Sequence, residues 1–270
     1  MKSFIRFLVF SNIWVTFCVL ALALSSELLL GTDNYQISKF VFFATLFTYN
    51  FQRVVRVKRG ANHMRKEWLL KHRAAIYFFI LVGGIMSGYY FSKFQIITQI
   101  AIVFSGVLSV LYPFGLRKLA FSKIFIISLV WTISTMLLLV LENNIPISES
   151  IVFHLMARFL FVFAITIPFD IRDLKYDFQN VQTIPLFFGT SIARFIAIMA
   201  VFICGIVAVF QYFENPLILS NLLALILLYF VSSIYIAKSD ESKEEMYFSF
   251  WIESLCILAY FFLIIMRLIF

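Results

Sequence analysis

IVFHLMARFLFVFAITIPF, residues 151–169, runs without interruption into DIRDLKYD, residues 170–177. The first stretch is close to the roughly 20 apolar residues that a helix needs to cross a bilayer. The second carries Asp170, Asp173 and Asp177. Offsets of 0, 3 and 7 put these three carboxylates on one face if the chain stays helical. Like charges so placed repel, so the arrangement calls for a cation between them, and a divalent metal held by oxygen ligands is the natural choice. A merely solvated helix end explains the cluster less well. Carboxylates at a helix C-terminus oppose its dipole by about 0.3–1 kcal/mol each, and the inner edge of a membrane span ordinarily carries Lys and Arg. Mg²⁺ takes one or two carboxylates and completes its shell with water and substrate phosphates. Such a site at a membrane face suits a diphosphate on a hydrophobic tail.

The rest of the chain extends the pattern of that first stretch. Its 270 residues are 63% apolar and 13% charged, with a mean hydropathy of +0.98, against about half apolar and a quarter charged in a soluble domain. Nine apolar runs fall at about 4–25, 36–53, 74–91, 95–112, 121–141, 151–169, 190–213, 216–237 and 247–268. They predict an all-α, polytopic membrane protein of nine transmembrane helices in a single domain, 1–270. Alternating barrel strands would be shorter and half polar. Lys2 and Arg6 before the first run imitate a signal peptide, but the run is long and many spans follow, so it reads as the first span.

With the N-terminus in the cytoplasm, 18 of the 22 Lys and Arg fall on inside segments and three, Lys39, Lys93 and Arg267, fall outside. That bias predicts a cytoplasmic N-terminus. Eight of the cations lie between Arg53 and Arg73. Spans flank this cluster on both sides, so it reads as an inside loop and not as a nucleic-acid surface. The net charge of +8 excludes little by itself. Cys18, Cys204 and Cys256 lie in apolar runs with no metal-ligand spacing, as small core residues do.

Two further patches face the same side. Tyr112-Pro-Phe-Gly-Leu-Arg117-Lys118 forms a turn where the fourth run ends. Arg117 and Lys118 can hold phosphate oxygens and Tyr112 can donate a hydrogen bond, although an ordinary basic exit turn looks the same. Asn50, Gln52, Arg53, Arg56 and Lys58 close the second run, either facing a bundle interior or snorkelling to the interface. His154 and Arg158, one turn apart inside the sixth run, either line a cavity or make structural hydrogen bonds. They also admit a small transporter, which ranks last because no paired Gly- or Pro-broken helices accompany them.

Together these patches resemble the UbiA superfamily of intramembrane aromatic prenyltransferases, and the resemblance covers nearly the whole chain. The most specific match is Asp170-Ile-Arg-Asp173-Leu-Lys-Tyr-Asp177 followed by Thr183-Ile-Pro185 and Gly189, which looks like the family's second Asp-rich motif and its tail. The connection from Asp177 to Thr183 is one residue shorter than expected. The last run carries Tyr247-Phe-Ser-Phe-Trp-Ile-Glu253 where the family tends to have an Asp-Gly pair. The family's first motif, Asn-Asp-x-x-Asp-x-x-x-Asp, is not kept. Aligned on Asn50, its three acids are Phe51, Val54 and Lys58.

The resemblance implies a UbiA-like bundle in a membrane, expected to be a bacterial inner membrane, with its active-site loops on the cytoplasmic face. It implies Mg²⁺-dependent transfer of a prenyl group from a prenyl diphosphate to a small aromatic or lipid acceptor. Asp170, Asp173 and Asp177 are the expected metal ligands and catalytic acids. Asn50, Arg53, Arg56, Lys58, Tyr112, Arg117, Lys118 and Arg172 form the expected substrate-binding set, with Arg53, Arg56 and Lys58 replacing one metal. The alternative is a degenerate member that binds a prenyl lipid without turnover.

Overall fold

The apolar runs become helices because lipid offers no partner for a free N–H or C=O, so each crossing segment must satisfy its own backbone. The computed structural model describes residues 2–58, 65–111, 121–177, 182–214 and 217–270, with only the backbone of Lys2, Arg56, Lys66, Leu111, Lys175, Tyr176 and Asp177. Among these residues the ordered structure is helical throughout. The elements are α1 (Lys2–Phe10), α2 (Ile13–Leu30), α3 (Gln36–Lys58), α4 (Lys66–Lys71), α5 (Arg73–Phe91), α6 (Ile96–Leu111), α7 (Ser122–Thr132), α8 (Leu138–Glu142), α9 (Glu149–Asp177), α10 (Ile184–Phe188), α11 (Thr190–Phe213), α12 (Leu219–Ala237) and α13 (Glu253–Ile269). A π-helical turn, Ile133–Leu137, joins α7 to α8, and a second, Tyr247–Ile252, leads into α13.

Among the described residues seven helices are long and apolar enough to cross a membrane: Ile13–Leu30, Arg73–Phe91, Ser122–Glu142, Glu149–Leu174, Thr190–Phe213, Leu219–Ala237 and Tyr247–Ile269. The two other expected spans are present as helices with weaker credentials. α3 has 23 residues, but Lys39, Asn50, Gln52, Arg53, Arg56 and Lys58 dilute its apolar run. α6 has 16 residues, about 24 Å at 1.5 Å per residue, short of a hydrocarbon core of about 30 Å. The expected first span is broken. Asn12 takes a left-handed conformation (φ 61) and separates α1 from α2, a geometry that Asn tolerates better than most residues. Its side chain then bonds Asn50 of α3 at 3.0 Å.

Helix α9 decides where the acidic motif sits. It runs for 29 residues with Pro168 inside it, so Asp170, Asp173 and Asp177 lie on one continuous helix, as the spacing predicts. At 1.5 Å per residue, the 21 residues from Glu149 to Phe169 use up about 31 Å. The aspartates therefore emerge at the edge of the apolar layer. After Thr183, Gly189 (φ +84) separates α10 from α11, at a backbone angle that favours glycine.

Neighbouring helices pack as a ring in which α2 meets α3 and α13, α6 lightly bridges α3 and α7, α7 meets α9, α9 meets α11, and α12 lies between α11 and α13. α5 packs on the outer side of α3. There Gly83 brings two backbones together: a Cβ at this position would lie 2.8 Å from Phe47 N and 2.9 Å from Phe43 O. Backbone atoms cannot step aside as a side-chain tip can. Gly83→Ala is expected to push α5 off α3 and cost about 1–3 kcal/mol, read as a lowered midpoint of thermal unfolding. An unchanged midpoint would show that the two helices separate freely.

Candidate functional site

Inside the ring lies a chamber of about 420 Å³, within the range of small-molecule sites. Its walls come from α2 (Val15, Val19), α3 (Phe40 to Arg53), α6 (Ile102, Ser105), α7 (Ile126 to Trp131), α9 (Val162 to Asp173) and α13 (Glu253, Cys256). Most of this lining is aliphatic or aromatic. Trp131 Nε1 donates to the Tyr49 hydroxyl at 3.1 Å and fixes both rings in the wall.

One end of the chamber is charged. Arg53, Arg65, Lys123, Arg172, Asp173, Glu245, Ser249 and Glu253 all line it. Lys123, in the first turn of α7, places its ammonium 2.5 Å from Asp170 and 3.0 Å from Asp173. The positive charge that the aspartate spacing demands is thus present within the chain, between the first two carboxylates. Arg172 Nε donates to Asp173 at 2.8 Å, and its Nη1 reaches Ser249 Oγ at 3.2 Å. Arg65 Nη2 donates to the same hydroxyl at 2.9 Å, its Nε reaches Glu245 at 2.6 Å and its Nη1 reaches the Val9 carbonyl at 3.0 Å. Its guanidinium also lies over the Phe10 ring, 4.6 Å from the centroid, a cation–π contact. Burial lowers the Arg65 guanidinium from its ordinary range, and the Glu245 carboxylate pulls it back up. Ser249 therefore joins two arginines from distant parts of the chain.

The predicted residues divide accordingly. Asp173, Arg172 and Arg53 line the chamber. Asp170 does not: it is buried and held by Lys123. Asn50 is fully buried outside the lining, giving its amide to the Leu46 carbonyl and accepting from Asn12. Arg53 is tethered to the same Asn12 side chain at 3.3 Å. Lys58 is exposed at the end of α3, away from the lining. Tyr112, Arg117 and Lys118, and the side chains of Arg56 and Asp177, lie outside the described residues. Of the positions that align with the first motif's acids, Phe51 stacks on Phe47 at 5.6 Å and Val54 is half-buried, so neither offers a ligand.

A family model described as the UbiA prenyltransferase family matches residues 66–255. The chain belongs to this family. No curated protein sequence matches this UbiA-family chain. Among solved structures it is similar to a UbiA homolog from Archaeoglobus fulgidus bound to GPP and Mg²⁺, with 12% identity, a TM-score of 0.62 and coverage of 97% of this chain and 99% of that one. The same homolog bound to Cd²⁺ matches at 13% identity, TM-score 0.57, over 94% and 99% of the two chains. A digeranylgeranylglyceryl phosphate synthase structure matches at 14% identity, TM-score 0.57, over 100% of both. At these identities the likeness is one of fold.

Sequence reasoning did not single out Lys123, Arg65, Glu245, Ser249 or Glu253 as site residues. Glu253 offered the clearest clue. An acid inside the final apolar run is costly unless it faces a cavity or a partner, and it lines the chamber. Lys123 and Arg65 were visible only as members of basic clusters, where the positive-inside rule already explains them.

Proposed function

We propose that this UbiA-family protein transfers a prenyl group from a prenyl diphosphate to an aromatic or lipid acceptor. The observation that carries the reading is the joining of Asp173, Arg172 and Lys123 at one end of an apolar chamber. A prenyl diphosphate has the same two halves, a charged head and a greasy tail. The structures of the family homologs bound to GPP or DMAPP with Mg²⁺ support the choice of donor.

The donor set fits one divalent cation and not two. Asp173 faces the chamber and, with Asp177 four residues on in the sequence, would hold Mg²⁺, which takes one or two carboxylates with phosphate and water completing its shell. Among the described residues no three metal-ligating side chains converge, and the first motif's acids are replaced by Phe51, Val54 and Lys58. Bound Mg²⁺ would supply charge neutralisation to the departing diphosphate. The chain's own residues do the rest. Arg172, with Arg53 and Lys123, offers N–H donors to the diphosphate oxygens as negative charge builds on them; an arginine fork suits that geometry. Heterolysis of the C–O bond leaves an allylic cation in the chamber, whose wall includes the aromatic rings of Tyr49 and Trp131 and aliphatic neighbours that exclude water. The acceptor then bonds to that carbon and gives up the proton it carried at the bonding atom to diphosphate or water.

In this reading residues 1–270 form one domain with nine spans, the N-terminus and the charged chamber end facing the cytoplasm, in an inner membrane. The test supplies purified protein with Mg²⁺, prenyl diphosphates of increasing length and a panel of aromatic and lipid acceptors. Acceptor-dependent release of diphosphate is the expected result. The internal pairing of Asp173 with Lys123 and Arg172 favours a second reading, a member that has lost catalysis and retains a prenyl lipid. Tight Mg²⁺-independent retention without turnover would select it.

A further inference from the structure

A second cavity lies within the bundle, lined by residues of α2, α9, α11, α12 and α13 with Met136 of the first π turn, and away from the charged end of the chamber. Its volume is about 30 Å³. The wall is apolar except for Ser25, His154, Arg158, Gln211 and Tyr229. Arg158 is 8% exposed. Its Nη2 donates to Ser25 Oγ at 2.9 Å and Ser26 Oγ at 3.0 Å, whereas its buried Nη1 has no protein partner. The two serines give their own protons to the Leu22 carbonyl, which leaves their oxygens free to accept from the guanidinium.

What this guanidinium lacks is a counter-charge. Among the described residues, no carboxylate forms an ion pair with Arg158. The groups facing it from each neighbouring helix are hydroxyls, an amide, two thiols, an imidazole and a phenol. Glu27, the acid nearest in sequence on α2, is spent on Thr32 and Ser38. Arginine keeps its charge, and an uncompensated charge inside a membrane is costly, so intramembrane cations normally pair or face water.

We propose that the cavity holds a monovalent anion of chloride size, bound by Arg158 Nη1. Size and charge decide the class. The space exceeds the roughly 10–15 Å³ that one water needs, which suits one small anion, and a monovalent one balances the single guanidinium charge. The site is independent of prenyl transfer: no residue of the charged chamber end belongs to it.

The test uses the full-length protein purified in sodium gluconate, then exchanged into chloride or bromide. Crystals grown in bromide are expected to show an anomalous peak within hydrogen-bonding range of Arg158 Nη1. The unfolding midpoint is expected to rise by about 3 °C between gluconate and 100 mM chloride. Arg158→Gln should abolish that rise while the variant still unfolds cooperatively. If the variant fails to fold, the bromide peak in the unaltered protein decides alone. No peak at the cavity overturns the proposal, whatever the midpoint does, and assigns the space to water.

Discussion

Asp173→Asn is expected to lower prenyl transfer by about 10²–10³-fold, the usual effect of removing one preorganised electrostatic group from a reacting centre. The substitution keeps the shape of the side chain and removes one negative charge. That charge now faces the chamber and accepts from Lys123 at 3.0 Å and Arg172 at 2.8 Å, so its loss acts twice. It would take away the proposed chamber-facing ligand for Mg²⁺, and it would release two cations from the positions in which they would meet diphosphate. The loss should appear in kcat, with a raised Mg²⁺ requirement. Asp170→Asn supplies the contrast. Asp170 is buried behind the lining and pairs with Lys123 at 2.5 Å, so its removal should lower stability while leaving the Mg²⁺ requirement in place. Transfer unaffected by Asp173→Asn would remove Asp173 from the machinery.

The second large effect concerns stability. Arg65→Met is expected to cost roughly 3–5 kcal/mol, because it strands Glu245 in a largely buried position. Arg65 is 4% exposed and ties three separate pieces of chain together: the Val9 carbonyl of α1, Glu245 before the last span and Ser249 within it. The loss should be read as a melting midpoint lowered by on the order of 10 °C. Adding Glu245→Met to Arg65→Met should restore part of that loss, since removing both charges leaves none unpaired. A double variant as unstable as the sum of the two single ones would mean that the pair itself contributes nothing.

Much of the bundle was legible because lipid imposes a simple rule on composition. The runs at 190–213 and 247–268 became Thr190–Phe213 and Tyr247–Ile269 almost residue for residue. The break at Asn12 was not legible, because it depends on a partner 38 residues away, Asn50. The acidic motif was legible as a helical face, and α9 keeps that face. Its cation was not, because Lys123 sits 50 residues from Asp173 and resembles any other basic residue at the start of a span. Arg53 was expected among the phosphate contacts and does line the chamber. Asn50 was expected beside it and turns instead to Asn12. Hydrogen-bonding capacity is encoded locally, but the choice between a substrate and a neighbouring helix is made by packing.

The wide turn at Tyr247–Ile252 shapes what the last helix shows to the chamber. Glu245, Ser249 and Glu253 are spaced four apart, and all three face the same space. In an α-helix each step of four overshoots a full revolution by about 40°, so three such groups would wind round toward a neighbour. The looser winding of a π turn absorbs part of that drift. Oxygen-bearing groups from two successive turns are thereby kept toward one wall of the same space.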